Sequence, residues 1–253
     1  MNQLSGTIRP EIGKLTNLAY LDLSANQFSG PNPPQIGSLT KLETLYIFDN
    51  QLNGSIPGEL GNVKNLAELS LDDNQLTGSI PASFGNLRNL RTLSLHANKL
   101  LGSIPKELSR LDNLKVLFID LRDNEFHGEL SSNWGKCKNL TDLPVARNNI
   151  TGSIPPEIGN VKGFLGLDLS SNHLVGQIPK EFGKLTSLKI PKEIRRITHL
   201  SVLDLSHNFL DGEMPTQLAG LLDLSNLNLS HNGFSGRIPE ELESLTGLQD
   251  VVL

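Results

Sequence analysis

Asparagines recur along the chain at a nearly constant interval of 24 residues, and this spacing constrains the fold more than any other feature. Two intervals depart from it, with 26 residues between Asn98 and Asn124 and 36 between Asn172 and Asn208. A unit this short cannot bury both of its faces, so successive copies must stack. The sequence therefore predicts a single repeat domain over residues 1–253 with about ten repeats. The marker asparagines are Asn2, Asn26, Asn50, Asn74, Asn98, Asn124, Asn148, Asn172, Asn208 and Asn232.

Each position of the repeat has a mechanical reason. Leu69 and Leu71 alternate with a polar residue, which predicts a strand with both leucines pointing inward. Asn74 then turns the chain, because its amide can both donate to and accept from loop backbone groups. Gly78 permits a turn that a Cβ would obstruct, and Pro81 fixes the backbone where the return segment begins. That segment is too short for a long α-helix, so we expect 3₁₀ or extended backbone.

Composition argues against several classes of function. The net charge of −5 and the pI near 5.7 argue against nucleic acid as a partner. No stretch approaches the roughly 20 apolar residues that span a bilayer, so this segment should make no membrane contact. Cys137 is the sole cysteine, which excludes an internal disulfide. No Ser–His–Asp set can be assembled in one pocket, so we expect neither an enzyme nor a cofactor.

The repeats resemble the plant-specific class of leucine-rich repeats over essentially the whole chain. The resemblance is carried by Gly54-Ser-Ile-Pro57, Gly78-Ser-Ile-Pro81 and Leu167-Asp-Leu-Ser-Ser-Asn172. It is a resemblance to the ectodomains of plant receptor-like kinases and to secreted polygalacturonase-inhibiting proteins. It implies an α/β leucine-rich-repeat right-handed solenoid, with a parallel β-sheet on the concave face and 3₁₀ or extended convex segments. It also implies a second small sheet near Gly-x-Ile-Pro, an extracellular setting and a ligand-binding inner face.

The cysteine-paired caps of that family are absent here. We therefore expect a piece of a longer, membrane-anchored cell-surface receptor that binds a peptide or protein ligand, with a co-receptor as a further partner. A small cytosolic protein is the minority interpretation. The main alternative function is a secreted inhibitor of pathogen cell-wall-degrading enzymes. Ice binding is a weak third, because Glu129 interrupts the row formed by Ser55, Ser79 and Ser103.

The two irregular intervals call for separate explanations. We place the two extra residues of the first within Leu117–Asn124, near 117–123, as either a β-bulge beside a functional site or a tolerated insertion. In the second, Leu188 is followed at once by Ile190 and Pro191 of the next repeat. Two full repeats would take 48 residues, so we predict a shortened repeat at 188–191 that lacks a strand. Either the chain is distorted at Leu188–Ile190 or twelve residues are absent from the sequence.

The candidate ligand site consists of the middle repeats, whose outward strand positions depart from the consensus. Tyr46, Phe48 and Phe118 are expected to be exposed anchors, and the acidic residues beside them favour a ligand with Lys, Arg or hydroxyl donors. Arg122 and Arg147 would take a carboxylate or sulfate. Neutral drift of surface residues is the alternative. The predicted ligand-binding residues are Tyr46, Phe48, Asp49, Glu68, Asp72, Asp73, His96, Phe118, Arg122, Asp123 and Arg147.

Asn53, Asn139 and Asn149 match the N-glycosylation pattern, and we expect Asn53 to lie in a loop and to be the best acceptor. His207 and His231 occupy the same position in adjacent repeats. Nothing completes a metal site around these two histidines, so we expect two exposed turn residues. Asp49, Asp72 and Asp73 lack the carbonyl-rich loop of a calcium site. The sequence therefore predicts no metal.

Overall fold

The computed structural model describes residues 2–111, 117–161, 163–185 and 200–253. The chain divides into two compact units, Met1–His127 and Gly128–Leu253. A regular repeat consists, in chain order, of a strand of a larger sheet, an asparagine turn, a strand of a smaller sheet and a 3₁₀ helix. This confirms the predicted α/β leucine-rich-repeat fold, whereas a single domain over 1–253 stays a prediction. No helix in the described part of the chain is long and apolar enough to cross a bilayer.

In the first unit, five parallel strands belong to the larger sheet, and each pairs with the next of these five along the chain. These strands are β2 (Tyr20–Asp22), β4 (Thr44–Tyr46), β6 (Glu68–Ser70), β8 (Thr92–Ser94) and β10 (Leu117–Asp120). The smaller strands are β1 (Ser5–Thr7), β3 (Gln27–Pro31), β5 (Gln51–Ser55), β7 (Gln75–Thr77), β9 (Leu101–Gly102) and β11 (Glu125–Glu129), which ends in the second unit. The 3₁₀ helices span Pro10–Lys14, Pro34–Ser38, Gly58–Asn62, Ala82–Asn86 and Lys106–Arg110.

The second unit repeats the same arrangement. Its larger strands are β12 (Leu140–Pro144), β14 (Gly166–Asp168), β16 (Val202–Asp204), β18 (Asn226–Asn228) and β20 (Asp250–Val252), paired in that order. Its smaller strands are β13 (Asn149–Ser153), β15 (His173–Gly176), β17 (Phe209–Glu213) and β19 (Gly233–Ser235). The 3₁₀ helices span Ser132–Lys136, Pro156–Asn160, Lys180–Lys184, Thr216–Gly220 and Glu240–Ser244.

The core lies between the larger sheet and the 3₁₀ helices. Leu45, Leu69 and Leu93 stack through direct strand pairing and are fully buried, as the alternation predicts. Phe84 and Trp134 are buried from the helical side of their repeats. Because adjacent repeats bury each other's leucines, the stability of each unit comes chiefly from stacking.

The marker asparagines connect adjacent repeats through their side chains. The amide nitrogen of Asn74 donates to the carbonyls of Leu71 (3.2 Å) and Asp72 (3.0 Å) in its own turn, and to that of Ile47 (3.0 Å) in the preceding repeat. Its amide oxygen accepts from the backbone N–H of Leu52 at 2.9 Å. Asn98, Asn172 and Asn232 are bonded in the same way. Backbone groups that strand pairing leaves open are thereby satisfied.

The position predicted for the two-residue insertion was wrong. β10 pairs with β8 in the regular register, with Phe118 opposite Thr92 and Asp120 opposite Ser94. The backbone bonds that follow, up to Asn98 N–H to Asp123 C=O, match those of the preceding repeats. Pairing in register leaves no room for extra residues between Phe118 and Asn124. The insertion therefore falls upstream of Phe118, in a stretch that includes residues outside the described part of the chain.

The interpretation of the 36-residue interval was also wrong in one respect. β14 pairs directly with β16, placing Leu167 opposite Leu203, and Asn208 accepts from the backbone N–H of Leu174 at 3.0 Å. Asn172 and Asn208 thus belong to adjacent repeats, and no strand is missing between them. The interval is one repeat with twelve extra residues, since a regular repeat has 24. The predicted distortion at Leu188–Ile190 lies outside the described residues.

Candidate functional site

The outward side chains of the larger sheet form what we call the strand face. In regular repeats the polar side chains of this face form hydrogen bonds with each other. The Ser24 hydroxyl donates to the Asp22 carboxylate at 2.6 Å, and the Ser206 hydroxyl donates to the Asp204 carboxylate at the same distance. These bonds hold the pKa of Asp22 below its usual value, because they stabilise the charged carboxylate. The middle repeats of the first unit replace this pair with other residues. Those replacements are Tyr46 and Phe48, Ser70 and Asp72, Ser94 and His96, and Asp120 and Arg122.

An aromatic cluster lies at one side of these repeats. The ring of Tyr46 lies 6.0 Å from that of Tyr20 and 6.0 Å from that of Phe48, with edge-on geometry at 81° and 62°. Tyr20 is 57% exposed, whereas Tyr46 and Phe48 are half-buried. Edge-on aromatic groups of this kind present apolar area to a partner at a small cost in side-chain entropy.

Tyr46 is held in place by Glu68 on the next strand. Its hydroxyl donates to the Glu68 carboxylate across the β4–β6 pair. This hydrogen bond stabilises the neutral phenol and, together with burial and the negative charge of Glu68, raises the pKa of Tyr46 to about 12. The predicted site residues Tyr46 and Glu68 are therefore linked by a hydrogen bond, and Tyr46 remains a neutral hydrogen-bonding group at physiological pH.

The centre of the strand face carries an acidic cluster around one imidazole. The Nε2 atom of His96 lies 3.6 Å from an Asp73 carboxylate oxygen and 4.0 Å from one of Asp72. Its Nδ1 atom lies 3.5 Å from the Asp120 carboxylate, whose side chain is only 3% exposed. Arg122 binds Asp120 in turn, through Nε at 3.0 Å and Nη2 at 2.6 Å. Three carboxylates and one guanidinium give this centre a net negative charge.

This cluster does not form a nucleophilic relay. Ser94, His96 and Asp120 are close together, but the Ser94 hydroxyl, at 3.1 Å, and the Asp120 carboxylate both face Nδ1 of His96. A Ser–His–Asp relay needs the serine and the aspartate on opposite ring nitrogens. The geometry therefore favours binding over acyl transfer.

Several predicted site residues lie in the asparagine turns, just past the end of the strands. Asp49, Asp73, Asp123 and Arg147 adopt left-handed backbone conformations with φ between 49° and 54°. Asp49, Asp73 and Arg147 are exposed there, and Asp123 is half-buried. Arg147 belongs to the second unit. A shared anion site of Arg122 and Arg147 therefore stays a prediction.

The structure changes the expected exposure of the aromatic residues and adds two residues to the site. Tyr46, Phe48 and Phe118 were expected to be exposed and are instead half-buried. Tyr20 and Asp120 were not among the predicted site residues. Tyr20 alternates with the inward Leu21, and this pattern marks it as an outward residue.

The predicted location of Asn53 was wrong. Asn53 lies within β5, whose backbone pairs with β3 and β7, although its side chain is exposed. Asn149 is exposed in β13, and Asn139 is half-buried. Glycosylation of the three asparagines stays a prediction.

His207 and His231 are exposed turn residues, as predicted. Their rings stack with centroids 4.1 Å apart and planes inclined by 13°. Stacked rings do not aim their nitrogen lone pairs at a common point, so this pair is poorly arranged to hold a metal.

The chain is similar to known sequence families and to solved structures. The sequence-family model described as "Leucine-rich repeat region" matches residues 2–153, and the one described as "Leucine Rich Repeat" matches residues 166–185, 199–221 and 223–245. No curated protein matches the chain. A solved structure of a TDR receptor is 31% identical, with a TM-score of 0.89, over 99% of this chain and 41% of that one.

Two further solved structures are similar. The Arabidopsis receptor kinase HAESA, in complex with the peptide hormone IDA and the co-receptor SERK1, is 33% identical with a TM-score of 0.74 over 99% of this chain and 44% of that one. A plant ice-binding protein is 31% identical with a TM-score of 0.65 over 93% of this chain and 79% of that one. This chain thus spans less than half the length of the two receptors. The stacked repeats, the asparagine turns and the matching family models show that the chain belongs to the leucine-rich-repeat family, in the class that builds plant receptor kinase ectodomains.

Proposed function

We propose that this chain is part of the extracellular, ligand-binding region of a plant cell-surface receptor, and that it binds a peptide across the strand face of its first unit. The observation that carries the proposal is that aromatic and charged residues in adjacent repeats replace the Asp–Ser pair, whose side chains bond to each other in regular repeats. The HAESA complex, whose ligand is a peptide hormone, supports this ligand class. We propose no catalytic role.

The dimensions of the site suggest the length of the bound segment. Tyr46 lies on β4 and Phe118 on β10, three strand spacings apart, which corresponds to about 14 Å. An extended peptide covers about 3.3 Å per residue, so four or five residues would reach from one aromatic group to the other. The acidic centre lies between them and favours a Lys or Arg in the middle of that segment.

The similarity to a plant ice-binding protein supports a second function less well. Ice binding requires a flat, regular array of hydroxyl groups. Ser55 and Ser79 are exposed in one row along the smaller strands, but Pro31 and Glu129 occupy the corresponding positions of other repeats. The row is therefore interrupted on both sides, and the specialised residues lie on the other sheet.

The experiment begins with selection of displayed random nine-residue peptides on the full chain. Affinities of the enriched peptides are then measured by calorimetry for the wild type and for the double variant Phe48→Ala, Phe118→Ala. We expect enrichment of peptides that carry Lys or Arg beside apolar residues. We also expect the double variant to lose at least tenfold in affinity, because each truncation removes an interface anchor.

The matched control is Phe209→Ala. Phe209 is an exposed phenylalanine of β17, on the smaller sheet of the second unit, and its truncation should leave the affinity unchanged. Selection that yields no binder, or binders with equal affinity for the wild type and the double variant, would show that the strand face is not the ligand site. A further binding measurement, with a candidate co-receptor ectodomain added to the chain and an enriched peptide, would test whether the three form a ternary complex.

A further inference from the structure

The His96 cluster brings two kinds of metal-ligand atom, carboxylate oxygen and imidazole nitrogen, close together. One carboxylate oxygen of Asp72, one of Asp73 and one nitrogen of His96 all lie within 4.8 Å of one another. We propose that these three residues bind a divalent transition metal of the zinc type. The proposal stands without the peptide-binding function, although a bound metal would compete with a Lys or Arg of a peptide for the same carboxylates.

The orientation of the imidazole is the first argument. The Ser94 hydroxyl at 3.1 Å and the Asp120 carboxylate at 3.5 Å can both accept a hydrogen bond from Nδ1, which favours the tautomer of a neutral His96 that carries its proton there. The lone pair of Nε2 then faces the carboxylates of Asp72 and Asp73, which are themselves acceptors only. Three acceptor atoms that lie this close together repel each other, and a cation between them would relieve that repulsion.

The residues behind the cluster are the second argument. A metal-binding histidine commonly donates its other N–H to a carboxylate, which fixes the ring and makes it a better ligand. Asp120 provides that carboxylate, and it is buried and bound by two nitrogens of Arg122. The Ser70 hydroxyl donates to Oδ1 of Asp72, which leaves Oδ2 directed at the imidazole.

The ligand set selects the class of metal. Zinc takes nitrogen and carboxylate ligands at about 2.0–2.2 Å, so ligand atoms in a tetrahedral site lie about 3.3 Å apart. Rotation of the two aspartates, of which Asp73 has a 55% exposed side chain, would bring the three ligand atoms, now within 4.8 Å of one another, to that spacing. Calcium needs six to eight oxygens, which two carboxylates and an imidazole do not provide. A fourth position would remain open to water or to a group of a bound molecule.

The test is titration of the metal-free chain with Zn²⁺ in competition with a chromophoric chelator. We expect one high-affinity equivalent and, with Co²⁺ as a spectroscopic probe, the absorption of tetrahedral coordination. His96→Gln should lower the affinity at least tenfold. Asp120→Asn, which changes a positioning residue, should lower it about 10- to 100-fold while the stoichiometry stays at one.

His207→Gln is the matched control, since it removes an exposed turn histidine that lies in the second unit. If Asp120→Asn fails to fold, as judged by circular dichroism, Asp73→Asn replaces it, because the side chain of Asp73 is 55% exposed. The proposal is overturned if no Zn²⁺ equivalent binds, if His96→Gln leaves the affinity unchanged, or if His207→Gln abolishes binding. Ca²⁺ binding that is unaffected by His96→Gln would likewise identify a simple acidic surface.

Discussion

Asn32 is a buried polar residue at a position where neighbouring repeats carry isoleucine. The corresponding residues Ile8 and Ile56 are buried in the core, and Asn32 itself is only 2% exposed. Within the described residues, neither polar atom of its side-chain amide makes a hydrogen bond. A buried amide without partners costs about 1–3 kcal/mol of stability. Asn32 therefore weakens the repeat in which it lies.

We predict that Asn32→Ile raises the free energy of unfolding by about 1–3 kcal/mol, because it removes the desolvated amide and fills the position with apolar atoms. Urea denaturation followed by circular dichroism measures this change. The control is Asn62→Ile at an exposed position, where we expect a change of at most about 0.5 kcal/mol. A loss of stability in Asn32→Ile would mean that the pocket cannot accept the larger side chain.

The ionisation of Tyr46 gives a second prediction at this scale. Its pKa is raised from 10.0 to about 12 in the folded protein, chiefly by the hydrogen bond to Glu68. The neutral phenol is favoured in the folded state, so this stabilisation is fully present below pH 10 and is lost as the pH rises through about 12. The chain has two tyrosines. Tyr20→Phe therefore leaves Tyr46 as the only tyrosine to titrate.

In the Tyr20→Phe variant, the ultraviolet absorbance of tyrosinate should rise with a midpoint near pH 12. Adding Glu68→Gln should move that midpoint downward, because the carboxylate acceptor and its charge are removed. Circular dichroism at each pH establishes that the chain remains folded during the titration. An equal midpoint in both variants would show that the bond between Tyr46 and Glu68 does not form in solution.

Outward residues could be predicted from alternation, but their contacts could not. The pattern around Leu69 and Leu71 placed Glu68 and Ser70 on the strand face correctly, since strand side chains alternate. It did not predict the pairing of Asp120 with His96, because those residues lie 24 positions apart in adjacent repeats. The contact depends on rotamers that side chains from three repeats select together.

At the scale of the element, the 3₁₀ helices pack closely enough that glycine is required in some positions. A Cβ on Gly61 would lie 2.5 Å from the Cβ of Ser83 and 2.7 Å from its carbonyl oxygen. In the same helix, a Cβ on Gly58 would meet no described atom closer than 3.9 Å. The two glycines thus differ in packing, although both belong to Gly58–Asn62.

We predict that Gly61→Ala lowers the free energy of unfolding by about 1–3 kcal/mol, because the methyl group forces adjacent 3₁₀ helices apart. Gly58→Ala is the matched control and should change it by less than about 1 kcal/mol. Both are measured by urea denaturation. Equal effects of the two substitutions would mean that helix propensity, and not packing, determines the result.

The whole molecule shows how far periodicity alone can predict a repeat fold. Regular spacing predicted both the strand ladder and the asparagine turns, because each repeat must satisfy the same backbone groups. Spacing could not assign the irregular intervals. A 36-residue interval fits both one long repeat and two shortened ones, and only the pairing of β14 with β16 distinguishes them. For the same reason, the two extra residues of the 26-residue interval were placed in the wrong part of the repeat.

If the long interval is one repeat with an insertion, its extra residues should be dispensable for the ladder. Deletion of residues 186–197 joins Leu185 to Thr198 and leaves Leu185 and Leu200 three positions apart, the spacing that Leu87 and Leu90 have in a regular repeat. Both Leu185 and Leu200 are buried, so the deletion keeps the core residues of this repeat. It also gives Asn172 and Asn208 the regular interval of 24.

We predict that this deletion variant folds and unfolds in urea at a midpoint equal to or above that of the wild type, because shortening a connection lowers the entropy cost of closing it. Amide hydrogen exchange should show unchanged protection of Leu169 and Leu205, whose backbone N–H groups donate to the next strand at 2.9 Å. Deletion of twelve residues from a regular repeat, 87–98, is the control and should abolish protection nearby, because it removes β8 and its asparagine turn. Loss of protection at Leu169 in the first variant would mean that the twelve residues are a structural part of the repeat.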